Sequence, residues 1–326
     1  MTTTHLPHHP PVVPQTQIGS QPARDLPAHE YQQRLAMERP AVWRGIVALV
    51  LLMGGLLAFS AIGGAIGLTV DLITGRWDPS TTGTPGMTPA LLAGSLGGLA
   101  MLTPWSMLLQ KWLFKVPARS LHSVRNLFRW RLLARTALIV IPIWVAYQVI
   151  TLTLMPQPTT TQPLVDTIAL LVLAVTLTPL QSAGEEYAFR GLTFRIAASW
   201  GWGPRTGLVL GILVGSALFM VAHAALDPWL NIYYFVFGAA LAVITWRTGG
   251  LELAVLLHAV NNTVAFVITA VMSYDLNAGF DRSAGVASPV MLIPCALLIV
   301  VAGVVWWRTR TGAATSQTVT RTANEG

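Results

Sequence analysis

The sequence predicts an all-α protein, a polytopic membrane helix bundle of about eight transmembrane helices with both termini in the cytoplasm. Composition is the first observation behind this prediction. Of 326 residues, 53% are apolar and only 10% are charged, whereas about 25% are charged in an average soluble domain. So few charges cannot cover a surface in water, which excludes an ordinary soluble enzyme and a largely disordered chain. The apolar runs and the distribution of cations are the other two observations.

Both ends of the chain are polar. Residues 1–40 are rich in Pro, Thr, Gln and His and show no apolar periodicity, which predicts a disordered cytoplasmic tail. Residues 308–326 are predicted to be a second disordered tail. The first long apolar run begins only near Val42, so no signal peptide is expected.

Eight apolar runs lie between the tails, each near the ~20 residues that a bilayer requires. The first three belong to an N-terminal region, 41–160, and the next four to a core region, 165–275. The runs cover residues 45–70, 90–110, 136–156, 166–189, 207–227, 230–247, 251–272 and 288–307.

The positions of the cations support this count. With the N-terminus in the cytoplasm, eighteen of the twenty Lys and Arg residues fall on the inner side, and only Arg76 and Arg282 fall outside. Such an asymmetry follows the positive-inside rule. The net charge of +7 is therefore interpreted as a topology signal. We expect a lipid bilayer and no nucleic acid as partner.

A basic segment near residues 119–135 has apolar residues at helical spacing, interrupted by Arg125, Arg129 and Arg131. This pattern predicts a helix in the inner membrane interface, with its Arg side chains on lipid phosphates. The alternative is a connecting helix that packs on the bundle.

Ionisable side chains inside membrane spans are costly, so each is a candidate functional residue. Asp166 and Glu252 lie near span ends, where the interface is expected to solvate them. The central ionisable residues are Glu185, Glu186, Arg190, His223 and His258.

The first motif is E-E-x-x-x-R. Glu186 and Arg190 are four residues apart, so they face the same side of a helix and can form an ion pair. Glu185 points about 100° away and has no local cation, which makes it a candidate general base. The alternative is a buried ion pair that only fixes helix packing.

The other two motifs place His223 four residues after Phe219, and Asn262 four residues after His258. Phe219 can form a wall against the His223 ring. His258 and Asn262 project from one face of a helix, and the Asn262 amide is a good hydrogen-bond donor to an oxyanion but a poor metal ligand. The alternative for both motifs is hydrogen bonding between helices.

Over about residues 165–275 the motifs E-E-x-x-x-R, F-x-x-x-H and H-x-x-x-N, in this order, closely resemble those of the CPBP family of integral membrane proteins. That family includes the type II CAAX prenyl endopeptidases and bacterial relatives tied to bacteriocin processing and self-immunity. The resemblance implies hydrolysis of peptide bonds inside the membrane, in membrane-associated peptide or protein substrates. The substrate itself is not readable from the sequence. The composition looks bacterial, and we expect the plasma (inner) membrane.

The resemblance also implies roles for the six motif residues. Glu185 with His223 would activate a water molecule. His258 and Asn262 would stabilise the tetrahedral oxyanion. Glu186 with Arg190 would orient the first motif.

No cofactor is expected. The sequence has no H-E-x-x-H motif, and a carboxylate base with an Asn donor can work without a metal. The alternative is Zn²⁺ held by Glu185, His223 and His258, as in the His₂Glu sites of soluble metalloproteases.

Two other function classes stay open beside the enzyme. One is a binding or immunity protein that keeps the fold and sequesters a peptide or partner. The other is a proton-coupled transporter, although no inverted repeat is evident.

The predicted spans leave one geometric condition. Glu185 and His223 can meet only if the fourth span continues past Arg190, or if the fifth span starts below the membrane surface. The polar stretch 181–190 would then line a cavity open to water, and Pro179 could kink the helix there.

Overall fold

The computed structural model describes residues 28–38, 40–78, 80, 86–155 and 157–315. These residues form α-helices and short helical turns and contain no β-strand. The helices are α1 (Val42–Ile73), α2 (Pro89–Ala100), α3 (Leu102–Phe114), α4 (Trp130–Leu154), α5 (Leu164–Glu186), α6 (Phe194–Ala198), α7 (Pro204–Ala222), α8 (Pro228–Thr248), α9 (Glu252–Val271), α10 (Leu276–Phe280) and α11 (Leu292–Arg308). A π-helical segment, Tyr187–Thr193, joins α5 to α6.

Eight helical stretches within the described residues are long and apolar enough to cross a membrane. The second combines α2 with α3, the fourth runs from α5 to the end of α6, and the last extends α11 back to Pro289. The prediction of an all-α bundle with eight spans is confirmed. The stretches are Val42–Ile73, Pro89–Phe114, Trp130–Leu154, Leu164–Ala198, Pro204–Ala222, Pro228–Thr248, Glu252–Val271 and Pro289–Arg308.

The bundle has two ends that differ in charge. The cation-poor end comprises the described residues of the connections 74–88, 155–163, 223–227 and 272–288. The cation-rich end comprises the connections 115–129, 199–203 and 249–251, together with residues 28–41 and 309–315. In the described connections, Arg76 and Arg282 are the Lys or Arg residues of the cation-poor end. They are the same two residues that the charge pattern predicts to lie outside the cytoplasm.

Glycines allow α1 and α2 to pack backbone against backbone. A Cβ atom added at Gly63 would overlap the carbonyl group of Gly94, and one added at Gly94 would overlap the carbonyl group of Gly63. Small residues permit such close approach of membrane helices. Thr88 caps α2 by accepting a hydrogen bond from the backbone N–H of Leu91 at 3.0 Å, and Pro89 occupies the first turn.

The fourth span continues beyond Arg190, which confirms the geometric condition set by the sequence. Glu185 is thirteen residues from Ala198, the end of α6, or roughly 20 Å at 1.5 Å per residue. His223 follows nineteen residues after Pro204, or roughly 28 Å. These lengths bring both residues well inside the bundle, where they line one cavity, and α5 contains Pro179 just before the polar stretch.

The prediction of one interfacial helix over residues 119–135 is wrong. A short 3-10 turn, Ala118–Leu121, is followed by turns, and α4 begins only at Trp130. Leu121 is fully buried, and Ser123 forms an isolated bridge with Gly250. Tertiary contacts with α9 thus outweigh the helical spacing of the apolar residues.

Parts of both predicted tails are ordered against the bundle. Residues 28–38 include two 3-10 turns and bury Tyr31 and Leu35 completely. At the other end, the Arg247 side chain bonds Thr309, and Thr315 forms a bridge with Glu30. The rest of both predicted tails, 1–27, 39 and 316–326, lies outside the described residues.

Two carboxylates near span ends are paired with arginines. Glu252 is fully buried, and its two oxygens accept hydrogen bonds from Arg129 Nε at 2.9 Å and from a terminal nitrogen of Arg129 at 2.6 Å. Asp166 pairs with Arg76 at 2.7 Å. The expectation that the interface solvates these residues is therefore wrong for Glu252, which is fully buried, whereas the Asp166 side chain is partly exposed.

Candidate active site

A cavity of about 460 Å³ lies between α1 and α2 on one side and α5, α7, α8 and α9 on the other. Leu92, Leu96 and Leu99 of α2 form much of its apolar wall. The opposite wall is polar and holds four of the predicted site residues, Glu185, His223, His258 and Asn262. The cavity extends to the cation-poor end, where residues 276–282 complete its lining.

The structure brings Glu186 and Arg190 together behind this wall, as their spacing predicts. Arg190 donates a hydrogen bond to Glu186 Oε1 at 3.0 Å, and both side chains are buried. The guanidinium also lies 3.9 Å from the centroid of the Phe219 ring, which adds a cation–π contact. Neither Glu186 nor Arg190 lines the cavity. Their pair is therefore a support for the site.

The same Glu186 oxygen holds His258, a contact that the sequence did not predict. His258 Nδ1 lies 2.6 Å from Glu186 Oε1. Because an ionised carboxylate only accepts hydrogen bonds, Nδ1 carries the proton of this bond. The other ring nitrogen, Nε2, then points to Glu185 Oε2 at 3.6 Å.

Glu185 is the less satisfied of the two adjacent carboxylates. Its Oε1 accepts a hydrogen bond from Gln181 Nε2 at 2.5 Å, whereas its Oε2 has no hydrogen-bond partner among the described residues. This Oε2 is itself buried, as is the equally unpartnered Oε2 of Glu186, but of the two residues only Glu185 lines the cavity. Gln181 was not among the predicted site residues, although its i, i+4 spacing from Glu185 was a signal for this contact.

His223 follows the last residue of α7. Its Nδ1 lies 2.8 Å from the carbonyl oxygen of Phe219 and donates to it, which leaves Nε2 as an acceptor in the neutral ring. The Phe219 ring contacts His223 at a centroid distance of 4.5 Å, as predicted. Tyr234 of α8, which the sequence analysis missed, stacks on the imidazole at 3.8 Å.

Asn262 lies one turn after His258 and lines the cavity with it. Its Oδ1 accepts a hydrogen bond from Asn261 at 3.1 Å, so its Nδ2 is the donor group left for other partners. That nitrogen is 3.4 Å from Gln181 Oε1, a long contact that a better acceptor can replace. Neighbouring Asn261 instead bonds Trp144 of α4 at 3.1 Å.

The arrangement does not fit a His₂Glu zinc site. Within the described part of the chain, no three His, Cys, Asp or Glu side chains are grouped closely enough to hold a metal ion. His258 Nε2 and Glu185 Oε2 are 3.6 Å apart, which is beyond hydrogen-bond distance. Whether the protein uses zinc stays a prediction.

Comparison with known proteins identifies the same region of the chain. A family model described as type II CAAX prenyl endopeptidase Rce1-like matches residues 165–264. The uncharacterized protein YyaK of Bacillus subtilis (strain 168) is 29% identical over 161 residues, which are 47% of this chain and 52% of YyaK. The chain thus spans about half the length of the curated relative that it matches. No solved structure matches.

The family match contains all three motifs in the order that the sequence analysis describes. Four of the six predicted site residues line the cavity, and the other two, Glu186 and Arg190, form an ion pair behind its wall. The resemblance inferred from the motifs is thereby confirmed: residues 165–264 are similar to the Rce1-like type II CAAX prenyl endopeptidases.

Proposed function

We propose that the protein is an intramembrane endopeptidase that hydrolyses peptide bonds of membrane-associated substrates with a water molecule activated by Glu185. One observation carries this proposal. Of two adjacent buried carboxylates, each with an Oε2 that has no hydrogen-bond partner among the described residues, Glu186 is paired with Arg190 and His258 behind the cavity wall, whereas Glu185 lines the cavity. A general base needs such a free acceptor within reach of its water.

Two acceptors flank the position proposed for the water. Glu185 Oε2 takes one proton, and His223 Nε2 accepts a hydrogen bond from the other because its Nδ1 is engaged by the Phe219 carbonyl. The water oxygen then attacks the carbonyl carbon of the substrate. The proton held by Glu185 passes to the leaving nitrogen when the C–N bond breaks.

Two donors stabilise the negative oxygen of the tetrahedral intermediate. Asn262 contributes its Nδ2 group. His258 contributes an N–H from Nε2 when its ring is doubly protonated, with Nδ1 held by the Glu186 carboxylate. Preorganised donors of this kind are worth about 10²–10³ in rate each.

The Glu186–Arg190 pair has a positioning role in this mechanism. It fixes the direction of the His258 ring through a hydrogen bond of 2.6 Å, and it keeps the base and its neighbour from competing for the same water. The charges of Glu186 and Arg190 offset one another in a site remote from bulk solvent.

The proposed setting is the plasma membrane of a bacterium, with both termini in the cytoplasm. The cation-poor end of the bundle, to which the cavity extends, would then face outward. The substrate class is left at peptides in or on the membrane, because nothing in the chain indicates that its substrates are prenylated.

The test is a comparison of membrane peptides from cells that contain the wild-type chain, Glu185→Gln or a matched control. Glu38→Gln is a suitable control because it makes the same chemical change in a partly exposed carboxylate, which pairs with Arg34 outside the cavity lining. We expect peptides that the wild-type and Glu38→Gln cells produce to be absent with Glu185→Gln.

Equal sets of membrane peptides in all three strains would contradict the proposed endopeptidase activity. If a cellular phenotype also survives Glu185→Gln, a protein that sequesters its partner becomes the better account.

A further inference from the structure

Arg282 is a second charged group in the lining of the cavity. Among the described residues that line the cavity, Glu185 is the one with a carboxylate side chain and Arg282 is the one with a guanidinium. The rest are apolar, aromatic, hydroxyl, amide and imidazole groups. Arg282 is partly exposed in the connection 272–288, where this cavity reaches the end of the bundle, so its guanidinium is accessible to a ligand that enters.

No carboxylate of the described residues forms an ion pair with Arg282. One terminal nitrogen donates to the backbone carbonyls of Gly279 at 3.0 Å and Asp281 at 2.9 Å. The remaining donors of the guanidinium have no hydrogen bond to the described residues. Arg76, the other cation of this end, instead pairs with Asp166 at 2.7 Å. Of the two, Arg282 is the one whose charge is left for a ligand.

The loop that carries Arg282 is tied to the start of α8. The Arg282 carbonyl accepts a hydrogen bond from the backbone N–H of Leu226 at 2.8 Å. Buried Asp227 accepts from Gly285 and Ala287 with one oxygen and from the first turn of α8 with the other. Burial raises the pKa of Asp227, but the four backbone donors outweigh it and hold the pKa below its usual value. The anchor is therefore ionised at neutral pH.

The distance from Arg282 to the hydrolytic residues is short. Its guanidinium carbon lies 6.0 Å from the centroid of Tyr234, and Tyr234 stacks on His223 at 3.8 Å. The guanidinium and His223 are thus separated by roughly 10 Å or less, the length of about three residues of extended peptide.

We propose that Arg282 binds a carboxylate of the peptide substrate, located within about three residues of the bond that is cleaved. The carboxylate is either the C-terminal group of the peptide or an Asp or Glu side chain. Both present the same planar anion, which a guanidinium binds through two parallel hydrogen bonds. This inference rests on the proposed function and adds to it a preference for acidic substrates.

A matched set of peptides tests the inference. The probe is a fluorescently labelled decapeptide of Ala, Leu and Ser, made with a C-terminal carboxylate, with a C-terminal amide, and as the amide with one Asp or one Asn at each of the last five positions. Binding is measured on the full chain in nanodiscs with Glu185→Gln, which stops cleavage. This background also removes the other charge of the cavity, so a role of Arg282 as counter-ion to Glu185 does not contribute.

We expect the free acid, or an Asp peptide over its Asn counterpart, to bind at least about tenfold more tightly than the uncharged version. Adding Arg282→Gln should remove this preference, and Arg282→Lys should retain part of it. Arg76→Gln, which alters the paired cation of the same end, should leave the preference unchanged. A preference confined to the free acid assigns the C-terminal carboxylate, and one confined to Asp peptides assigns a side chain.

Equal binding of charged and uncharged peptides by the protein that keeps Arg282 would overturn the inference, whether or not Arg282→Gln folds. So would failure of every peptide to bind, or a loss in Arg282→Gln that is the same for all of them. The outcome is separable from the proposed function. Cleavage by the wild-type chain without any charge preference would support the endopeptidase and contradict the Arg282 subsite. Charge-dependent binding without cleavage would support the subsite and contradict the endopeptidase.

Discussion

The two ends of the helix bundle use their buried charges differently. At the cation-rich end, Glu252 forms an ion pair with Arg129. Buried Arg195 donates hydrogen bonds to the side chain of Gln110 and to the backbone carbonyl of Ser120. Towards the cation-poor end, Glu185 and Arg282 line the cavity, and in the described part of the chain neither has an oppositely charged Arg, Asp or Glu partner at ion-pair distance. The closest approach of this kind to Glu185 is by His258, whose Nε2 lies 3.6 Å from Oε2. Charges that hold helices together have partners in the chain, and charges available for chemistry do not.

The contrast also runs between two adjacent residues. Glu186 and Glu185 share one turn of α5, yet only Glu186 has a cation at hydrogen-bond distance. Its neighbour contacts the neutral amide of Gln181. Within one helical turn, one carboxylate thus supports the structure and the other has the proposed chemical role. The π-helical segment that follows is an irregularity of a kind that is common at functional sites.

Breaking the support behind the cavity is expected to have the largest effect. Arg190→Ala leaves Glu186 buried without its arginine, which should cost about 3–5 kcal/mol of folding free energy and let the His258 ring turn. Folded yield by size-exclusion in detergent should fall sharply, and turnover per folded molecule should fall as well. Arg76→Ala, which breaks a partly exposed pair, is the control and should cost less than about 1 kcal/mol. Wild-type yield and turnover in Arg190→Ala would contradict the supporting role.

The cavity wall itself is tested by Asn262→Ala. If Asn262 is an oxyanion donor, turnover per folded molecule should fall by about 10²–10³ with little change in folded yield. Asn231→Ala on α8 is the control, because that amide donates to the carbonyl of Ala225 and does not line the cavity. It should lower thermal stability more than turnover. The reverse pattern in the two variants would exclude Asn262 as the donor.

At the cation-rich end, Arg129→Ala should affect folding alone. It removes two side-chain hydrogen bonds from fully buried Glu252, and because Arg129 is partly exposed we expect the lower end of the range for a broken buried pair, about 3 kcal/mol. Thermal unfolding measures this loss. Turnover per folded molecule should stay within about twofold of the wild type, because Arg129 does not act on the tetrahedral intermediate. Losing a group that does would lower turnover by about 10²–10³. A loss of turnover of that larger size would contradict this separation and show that catalysis depends on both ends of the bundle.

Removal of metal is expected to have no effect. The proposed water is activated by Glu185 and His223 alone, so the purified active protein should contain far less than one zinc per chain and keep its turnover after chelation. Elemental analysis and an activity assay check this. Stoichiometric zinc that is lost in His223→Ala together with activity would assign Glu185, His223 and His258 to a metal.

Local spacing predicted much of this arrangement. The Glu186–Arg190 pair, the Phe219–His223 contact and the shared face of His258 and Asn262 all follow from i, i+4 positions on a helix. The meeting of distant spans required one further argument, the length of the fourth span, and α5 with α6 meets that condition.

Contacts between distant segments were not predictable in the same way. The bond from Glu186 to His258 joins residues 72 positions apart, and nothing local marks it. Tyr31 lies in a polar stretch without periodicity, yet it is fully buried. The guanidinium carbon of Arg195 lies 3.9 Å from the centroid of its ring. Arg282 was recognised as a cation outside the cytoplasm, but its place in the cavity depends on a loop held by Asp227.

The most direct test of the account compares Glu185→Gln with Glu186→Gln, as turnover per folded molecule on a peptide that the wild-type protein cleaves. Glu185→Gln keeps the shape of the side chain but removes the proton acceptor, so turnover should fall by about 10²–10⁴ with normal folded yield. Glu186→Gln should reduce folded yield and lower turnover less, because it acts through Arg190 and His258. Full turnover in Glu185→Gln, with turnover abolished in Glu186→Gln, would contradict the account and exchange the roles of the two carboxylates.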